Sequence, residues 1–151
     1  MEIVNGINYL SEIKELILEY SKFLNRDLSF QSLEAELQDL GKKYSGNEGS
    51  SLVLLVDGKV MGCVAYHKLT DTRCEMKRLY VKPEIRGLKA GEKLVEKIIS
   101  VAKENGFSEM VLDTIEPLQA AIHLYKKMGF EECEPYYDNP MSDVIYMKRK
   151  L

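Results

Sequence analysis

Apolar residues recur along the chain in two rhythms, and the change between them divides it. Ile13, Leu16, Ile17, Tyr20 and Leu24 are spaced by three or four, which predicts a helix with one buried stripe and Ser11 at its N-cap. Leu33, Leu37 and Leu40 mark a second helix that Gly41 ends. Residues 1–8 are compatible with a short edge strand, and S-G-N-E-G-S at 45–50 has loop composition. From Leu52 the pattern becomes strand-like. Residues 52–56 form a strand, Asp57-Gly58 a two-residue hairpin turn, and residues 60–69 its partner. After a turn at Thr70-Asp71, a third strand covers 73–81 and ends near Pro83, which cannot donate to a ladder.

Helical spacing returns over 90–104, where Leu94, Val95, Ile98, Ile99 and Ala102 share a face; Gly106 stops the helix and Phe107 packs back. Residues 109–113 are a short strand. A last helix covers 117–128, with Pro117 in its first turn and Gly129-Phe130 as its stop. Strands at 131–134 and 144–149 flank the turn-rich P-Y-Y-D-N-P. The order is helix pair, three-strand meander, helix, strand, helix, two strands, without internal repeat. It predicts an α/β (α+β mixed) fold: a mixed sheet covered by helices on both faces, in a single domain over residues 1–151.

Length and composition narrow this further. A chain of 151 residues buries about 70% of the surface it exposes unfolded, enough for one real core. The net charge of −3, from 21 basic and 24 acidic residues, offers no basic stripe for a nucleic-acid backbone, so no nucleic-acid partner is expected. Cys63, Cys74 and Cys133 are odd in number and make no C-x-x-C pair, which fits a reducing compartment better than a disulfide frame. His67 and His123 stand far apart, giving a metal site little to build on, and both read as bystanders. The Met-Glu start is not read as a signal peptide, and the apolar run at 52–56 is too short to span a membrane, so a cytoplasmic location is expected.

Candidate chemistry sits where the third strand turns into a helix, in V-K-P-E-I-R-G-L-K-A-G-E-K-L at 81–94. Unpaired N–H groups and the dipole at a helix N-terminus suit a phosphate, and Gly87 and Gly91 let the backbone approach one. The P-loop spacing G-x-x-x-x-G-K-[ST] is missed, and the dinucleotide fingerprint G-x-G-x-x-G is absent. Taken alone, the loop is also compatible with an ordinary strand-to-helix junction.

C-E-M-K-R-L-Y-V-K-P-E-I-R-G-L-K-A-G-E-K-L, followed later by A-A-I-H-L-Y-K-K-M-G-F, resembles the GNAT superfamily of acyl-CoA-dependent N-acyltransferases. The family pattern is a strand ending in x-V-x-P and then R-G-x-G-x-G or A opening a helix, with A-x-x-L-Y-x-x-x-G-F on the next helix. The likeness extends over essentially the whole chain and is most specific over 74–130; P-Y-Y-D-N-P is similar to uncharacterised bacterial members. The resemblance implies a central, mostly antiparallel sheet and acetyl-CoA as cofactor. The pyrophosphate would take N–H bonds from Arg86, Gly87, Leu88, Lys89, Ala90 and Gly91, and pantetheine would pair with the backbone of Leu79, Tyr80 and Val81. Leu118 and Ala121 would lie on the cofactor side of the last helix. It further implies transfer to a primary amine of a small molecule or peptide by direct attack, and leaves a homodimer open.

Two positions depart from the pattern. Lys89 replaces a usual Gly, which requires negative φ there or some strain, and its ammonium either reaches a phosphate or is solvated. Leu118 replaces a frequent cofactor-contacting Asn. For the reaction, Tyr125 at the signature Tyr would be the acid toward the CoA thiolate; its alternative is aromatic packing beside Ile122 and Met128. Glu75, directly or through water, would be the base, with the alternation parity of Lys77, Leu79 and Val81; its alternative is an exposed glutamate countering Arg73 or Lys77. Tyr136, Tyr137 and Asp138 are acceptor-pocket candidates, or simply make a polar turn, with Phe30 and Asp27 weaker candidates of the same kind. A non-catalytic acyl-CoA-binding module and a purely structural domain are the competing readings.

Overall fold

The computed structural model describes residues 1–27 and 33–151. Seven strands form one sheet in the order β1-β2-β3-β4-β5-β7-β6. They are β1 (Glu2–Asn5), β2 (Gly49–Val56), β3 (Lys59–Lys68), β4 (Arg73–Val81), β5 (Glu109–Ile115), β6 (Glu131–Glu132) and β7 (Val144–Lys150). Every neighbouring pair is antiparallel except β4–β5. The helices are α1 (Leu10–Leu24), α2 (Leu33–Gln38), α3 (Leu40–Lys43), α4 (Ala90–Glu104) and α5 (Gln119–Lys127).

Strand alternation sends the central strands' side chains into two cores. Leu52, Leu54, Val64, Tyr66, Cys74 and Met76 pack with Leu94, Val95, Ile98 and Tyr125, so α4 and α5 cover one face. Val53, Cys63, Ala65 and Tyr80 pack with Ile13, Leu16, Ile17 and Tyr44, so the α1–α3 segment covers the other. The β2–β3 hairpin turns at Asp57 (φ 50°) and Gly58 (φ 79°), the doubly positive pair that matches strand twist. The C-terminus of α4 closes at Gly106 (φ 92°), where the Phe107 N–H donates to the Ala102 carbonyl at 3.1 Å. Among the described residues, no helix is long and apolar enough to cross a membrane.

Five local expectations shift. Tyr9, not Ser11, is the N-cap of α1, and the Ser11 hydroxyl instead donates to Glu12. The second helix divides at Asp39, whose carboxylate accepts from the Lys42 N–H at 3.1 Å and starts α3 with Gly41 inside it. β2 begins within the expected loop, at Gly49. Pro117 and Leu118 precede α5, which begins at Gln119. β6 is only two residues long.

The departure with consequences lies in β4. Cys63 pairs with Tyr80 and Ala65 with Lys77, so two steps on β3 face three on β4. The extra residue is absorbed at Arg78, which adopts φ 62°. This bulge reverses the alternation. Glu75 and Lys77 face α1–α3, whereas Leu79 and Val81 pack on the α4 side, so the shared parity expected from the sequence does not hold.

A buried ion pair anchors the bulge. Arg78 Nε donates to Glu36 Oε2 at 2.7 Å and its Nη2 to Oε1 at 3.1 Å, while Lys43 Nζ reaches Oε1 at 2.8 Å. Burial pushes the Glu36 carboxyl upward, and hydrogen bonds and charge from Arg78 and Lys43 overcome this, holding it at about 2 against an ordinary 4.5. Because the folded pKa is depressed, the stabilisation is fully present above pH 4.5 and is lost as pH falls toward 2. Its size is about 3 kcal/mol. Arg78→Ala should cost about 3–5 kcal/mol in denaturant unfolding because it strands a buried carboxylate. Glu36→Gln should flatten the loss of stability between pH 4.5 and 2. An unchanged acid limb would show that Glu36 does not control it.

Candidate active site

β4 and β5 are paired only through Arg73–Glu109, Cys74–Met110 and Glu75–Val111. Beyond that, β5 follows β7 as far as Ile115 opposite Val144, while β4 stays with β3. The two strands part, and a cavity opens between them. Met76 to Leu79 and Leu112 to Ile115 form its sides, with α1 contributing Tyr20, α5 contributing Tyr125, and the β6–β7 loop contributing Asn139.

Beside this opening, β4 runs through a 3₁₀ turn (Pro83–Ile85), anchored by buried Ile85, into the loop before α4. Gly87 has φ 91°, and a Cβ there would meet nothing within 4 Å, so conformation rather than space calls for glycine. Lys89 is the N-cap of α4 with φ 58° and ψ 27°; it accepts strain instead of adopting negative φ, and offers no side-chain cap. The first N–H groups of α4 therefore remain without helical partners, at the positive end of its dipole. A Cβ at Gly91 would meet Leu124 Cδ2 of α5 at 3.5 Å, an ordinary contact, so packing space alone does not call for glycine there. The Arg86 guanidinium donates to the Val81 carbonyl at 3.2 Å and covers the Phe23 and Tyr80 rings at 5.6 and 5.7 Å. Leu88 is exposed and Ala90 buried. A basic loop of this shape suits a phosphate.

Tyr125 reaches the cavity from α5 and meets Phe130 edge-on at 6.0 Å. Burial, with smaller contributions from Tyr20 and Asp113, pushes its phenol well above the ordinary range. It therefore keeps its proton at neutral pH. Leu118, the uncapped N-cap of α5, lines the same cavity, and Ala121 packs on the α4-side core.

Glu75 stands at the last β4–β5 pair and does not itself line the cavity. Its Oε1 lies 2.7 Å from His67 Nε2, and its Oε2 accepts from the Tyr136 hydroxyl at 2.5 Å. Burial pushes the carboxyl up, but the His67 bond, the Lys77 charge and Tyr136 together bring it below its ordinary value. It is thus a buried network member rather than an exposed glutamate, and His67 is its partner rather than a bystander. His123 is exposed.

Tyr137 donates to Asp113 Oδ2, and Asn139 Nδ2 donates to the same oxygen at 2.9 Å. The rings of Tyr136, Tyr137 and Tyr146 pack mutually at 5.3 to 5.8 Å, which fixes this loop against β5 and β7. Asp138 and Asp27 are exposed, and Phe30 lies outside the described residues. Sequence reasoning passed over Lys77, Asp113, Tyr20 and Asn139. Strand parity beyond Glu75 and Val111 would have found the first two. Tyr20 was read only as core, and nothing local marks Asn139.

Residues 12–130 match the model of the Acetyltransferase (GNAT) family. An uncharacterised N-acetyltransferase of Schizosaccharomyces pombe is 44% identical over 144 residues, covering 94% of this chain and 88% of that protein. A GNAT-family acetyltransferase from Staphylococcus aureus superposes with a TM-score of 0.82 at 24% identity, over 99% of this chain and 98% of that one. The PaiA N-acetyltransferase of Thermoplasma acidophilum, solved in complex with coenzyme A, superposes with a TM-score of 0.71 at 17% identity over the full length of both chains. The chain belongs to the GNAT family of acetyltransferases.

Proposed function

We propose that the protein, acting as one domain, is an acetyl-CoA-dependent N-acetyltransferase for a primary amine. The observation that carries this reading is the parting of β4 from β5, which sets a neutral buried tyrosine at a cavity flanked by an open helix N-terminus. The Thermoplasma acidophilum protein of the same fold was solved with coenzyme A, which supports the choice of cofactor. The loop from Arg86 to Gly91 fits the cofactor's pyrophosphate: it has positive φ at Gly87 and Lys89, unshared N–H groups and nearby basic side chains. The backbone of Leu79, Tyr80 and Val81 would align the pantetheine, with Leu118 and Ala121 alongside.

Acetyl-CoA supplies the acetyl thioester. The neutral amine forms the new N–C bond as the C–S bond breaks, and Tyr125 gives its phenolic proton to the departing sulfur. The amine's proton leaves through water toward Glu75. A carboxylate held below its ordinary pKa is a weak acceptor, so Glu75 orients that water and solvent takes the proton, while His67, 2.7 Å away, holds the carboxylate in place. Solvent then restores Tyr125.

Acetyl-CoA at about a hundred times its dissociation constant should raise the melting temperature by about 5–10 °C. A set of primary amines should then release CoA. No stabilisation would overturn the reading; stabilisation without release from any amine would leave a non-catalytic binding module. Tyr125→Phe should lower kcat about a hundredfold or more while keeping that thermal shift. Unchanged turnover would remove Tyr125 as the acid.

Lys89→Gly should raise stability by about 1 kcal/mol through relief of left-handed backbone strain. If CoA affinity in this variant loses part of its salt dependence, the Lys89 ammonium contacts a phosphate; unaltered salt dependence leaves binding to the backbone alone.

A further inference from the structure

Beyond the last β4–β5 pair, Glu75–Val111, the next residues facing α1–α3 are Lys77 on β4 and Asp113 on β5. Each stands two positions past the pairing, so they oppose one another across the widening gap, and both line the cavity that Tyr125 reaches. The other ionic groups of this cavity are neutralised. Arg26 holds Asp143 through two hydrogen bonds of 2.7 and 2.8 Å, and Arg78 holds Glu36.

Lys77 and Asp113 are not neutralised in this way. Asp113 accepts only from neutral donors, the Tyr137 phenol and the Asn139 amide, and makes no ion pair among the described residues. Lys77 Nζ comes no nearer than 4.0 Å to Glu75 Oε1, an oxygen that His67 already holds at 2.7 Å. A cation and an anion thus face each other in a half-buried slot without closing on each other. A low-polarity slot makes such unclosed charges costly, and a ligand carrying opposite charges on two groups joined through one carbon relieves both at once.

We propose that Lys77 and Asp113 form a clamp for a zwitterionic acceptor, a free α-amino acid whose carboxylate meets Lys77 and whose ammonium docks on Asp113. This rests on the N-acetyltransferase reading and narrows its acceptor. The Tyr137 and Asn139 hydrogen bonds hold the Asp113 carboxylate in one orientation. The docked nitrogen loses one proton to cleft water before it attacks the acetyl carbon and a second as the amide forms, while the thiol leaves protonated. Peptides and polyamines present an ammonium without an adjacent carboxylate, so they satisfy only half the clamp.

The test is a matched panel with acetyl-CoA and the full-length protein: free amino acids, their amides, the corresponding decarboxylated amines, and dipeptides. CoA release is followed to give kcat/KM. Free amino acids should exceed their amides and amines by at least tenfold, because a site built for a charged group rejects analogues lacking it. In Lys77→Met that ratio should collapse toward one through KM. Asp113→Asn should weaken every amine while the thermal shift by acetyl-CoA persists. The wild-type panel decides the question even if a variant fails to fold. Amides, amines or dipeptides turned over as well as free amino acids would overturn the clamp and leave the N-acetyltransferase reading standing. No CoA release from any amine, in a protein that acetyl-CoA stabilises, would overturn both.

Discussion

The parting of β4 from β5 is the constraint on which the remainder of the molecule depends. A parallel pair that continued past Glu75–Val111 would fill the space that the cavity occupies. Two features hold the strands apart. β5 is bound along its whole length to β7, from Glu109–Lys150 to Ile115–Val144, so it cannot follow β4. β4 carries an extra residue at Arg78 and turns away with β3. The positive φ at Arg78 is costly for a residue with a side chain, and the Glu36–Arg78 pair over-determines it from α2. A strained backbone position, a buried ion pair and an open cleft are thus one arrangement seen from three sides.

Much of this was legible in the residues. Arg73–Val81 and Ala90–Glu104 follow their expected bounds because alternation, helical spacing and glycine stops agree there. Ser11 and Gly41 were misread because capping is a competition among neighbours. Asp39 outcompetes Gly41 as a boundary by accepting the Lys42 N–H. The bulge was not legible at all. Nothing in R-C-E-M-K-R-L-Y-V marks Arg78 as the residue that takes φ 62°, since the partner that stabilises it, Glu36, lies 42 positions away. Missing one bulge reverses every side chain after it, so the parity that grouped Leu79 and Val81 with Glu75 and Lys77 does not hold.

The Arg86–Gly91 loop shows a different limit. Its motif is readable as a helix entrance, yet the sequence left two backbone states open for Lys89. The structure takes the left-handed one, which a glycine adopts without penalty. Proteins retain such strain where surrounding geometry fixes it, and here the fixed ends are buried Ile85 and Ala90 on either side. Arg86, which packs over Phe23 and Tyr80, further links the loop to α1 and β4. The shape of the helix entrance is therefore tied to the same strand whose departure opens the cavity.

Glu75 and Asp113 differ by environment more than by chemistry. Both carboxylates face α1–α3 and both accept a tyrosine hydroxyl from the β6–β7 loop, Tyr136 in one case and Tyr137 in the other. Glu75 sits where the strands are still joined, and His67 and the Tyr136 hydroxyl hydrogen-bond its two oxygens. Asp113 sits two residues further on, where the sheet has opened and where, among the described residues, its hydrogen-bond donors are neutral. A carboxylate that the fold has already satisfied suits holding its neighbours and nearby water in place. One left with neutral donors in a cavity suits meeting a cation from outside. The two residues of separation along the strands are what divide these tasks, because the β4–β5 pairing ends between them.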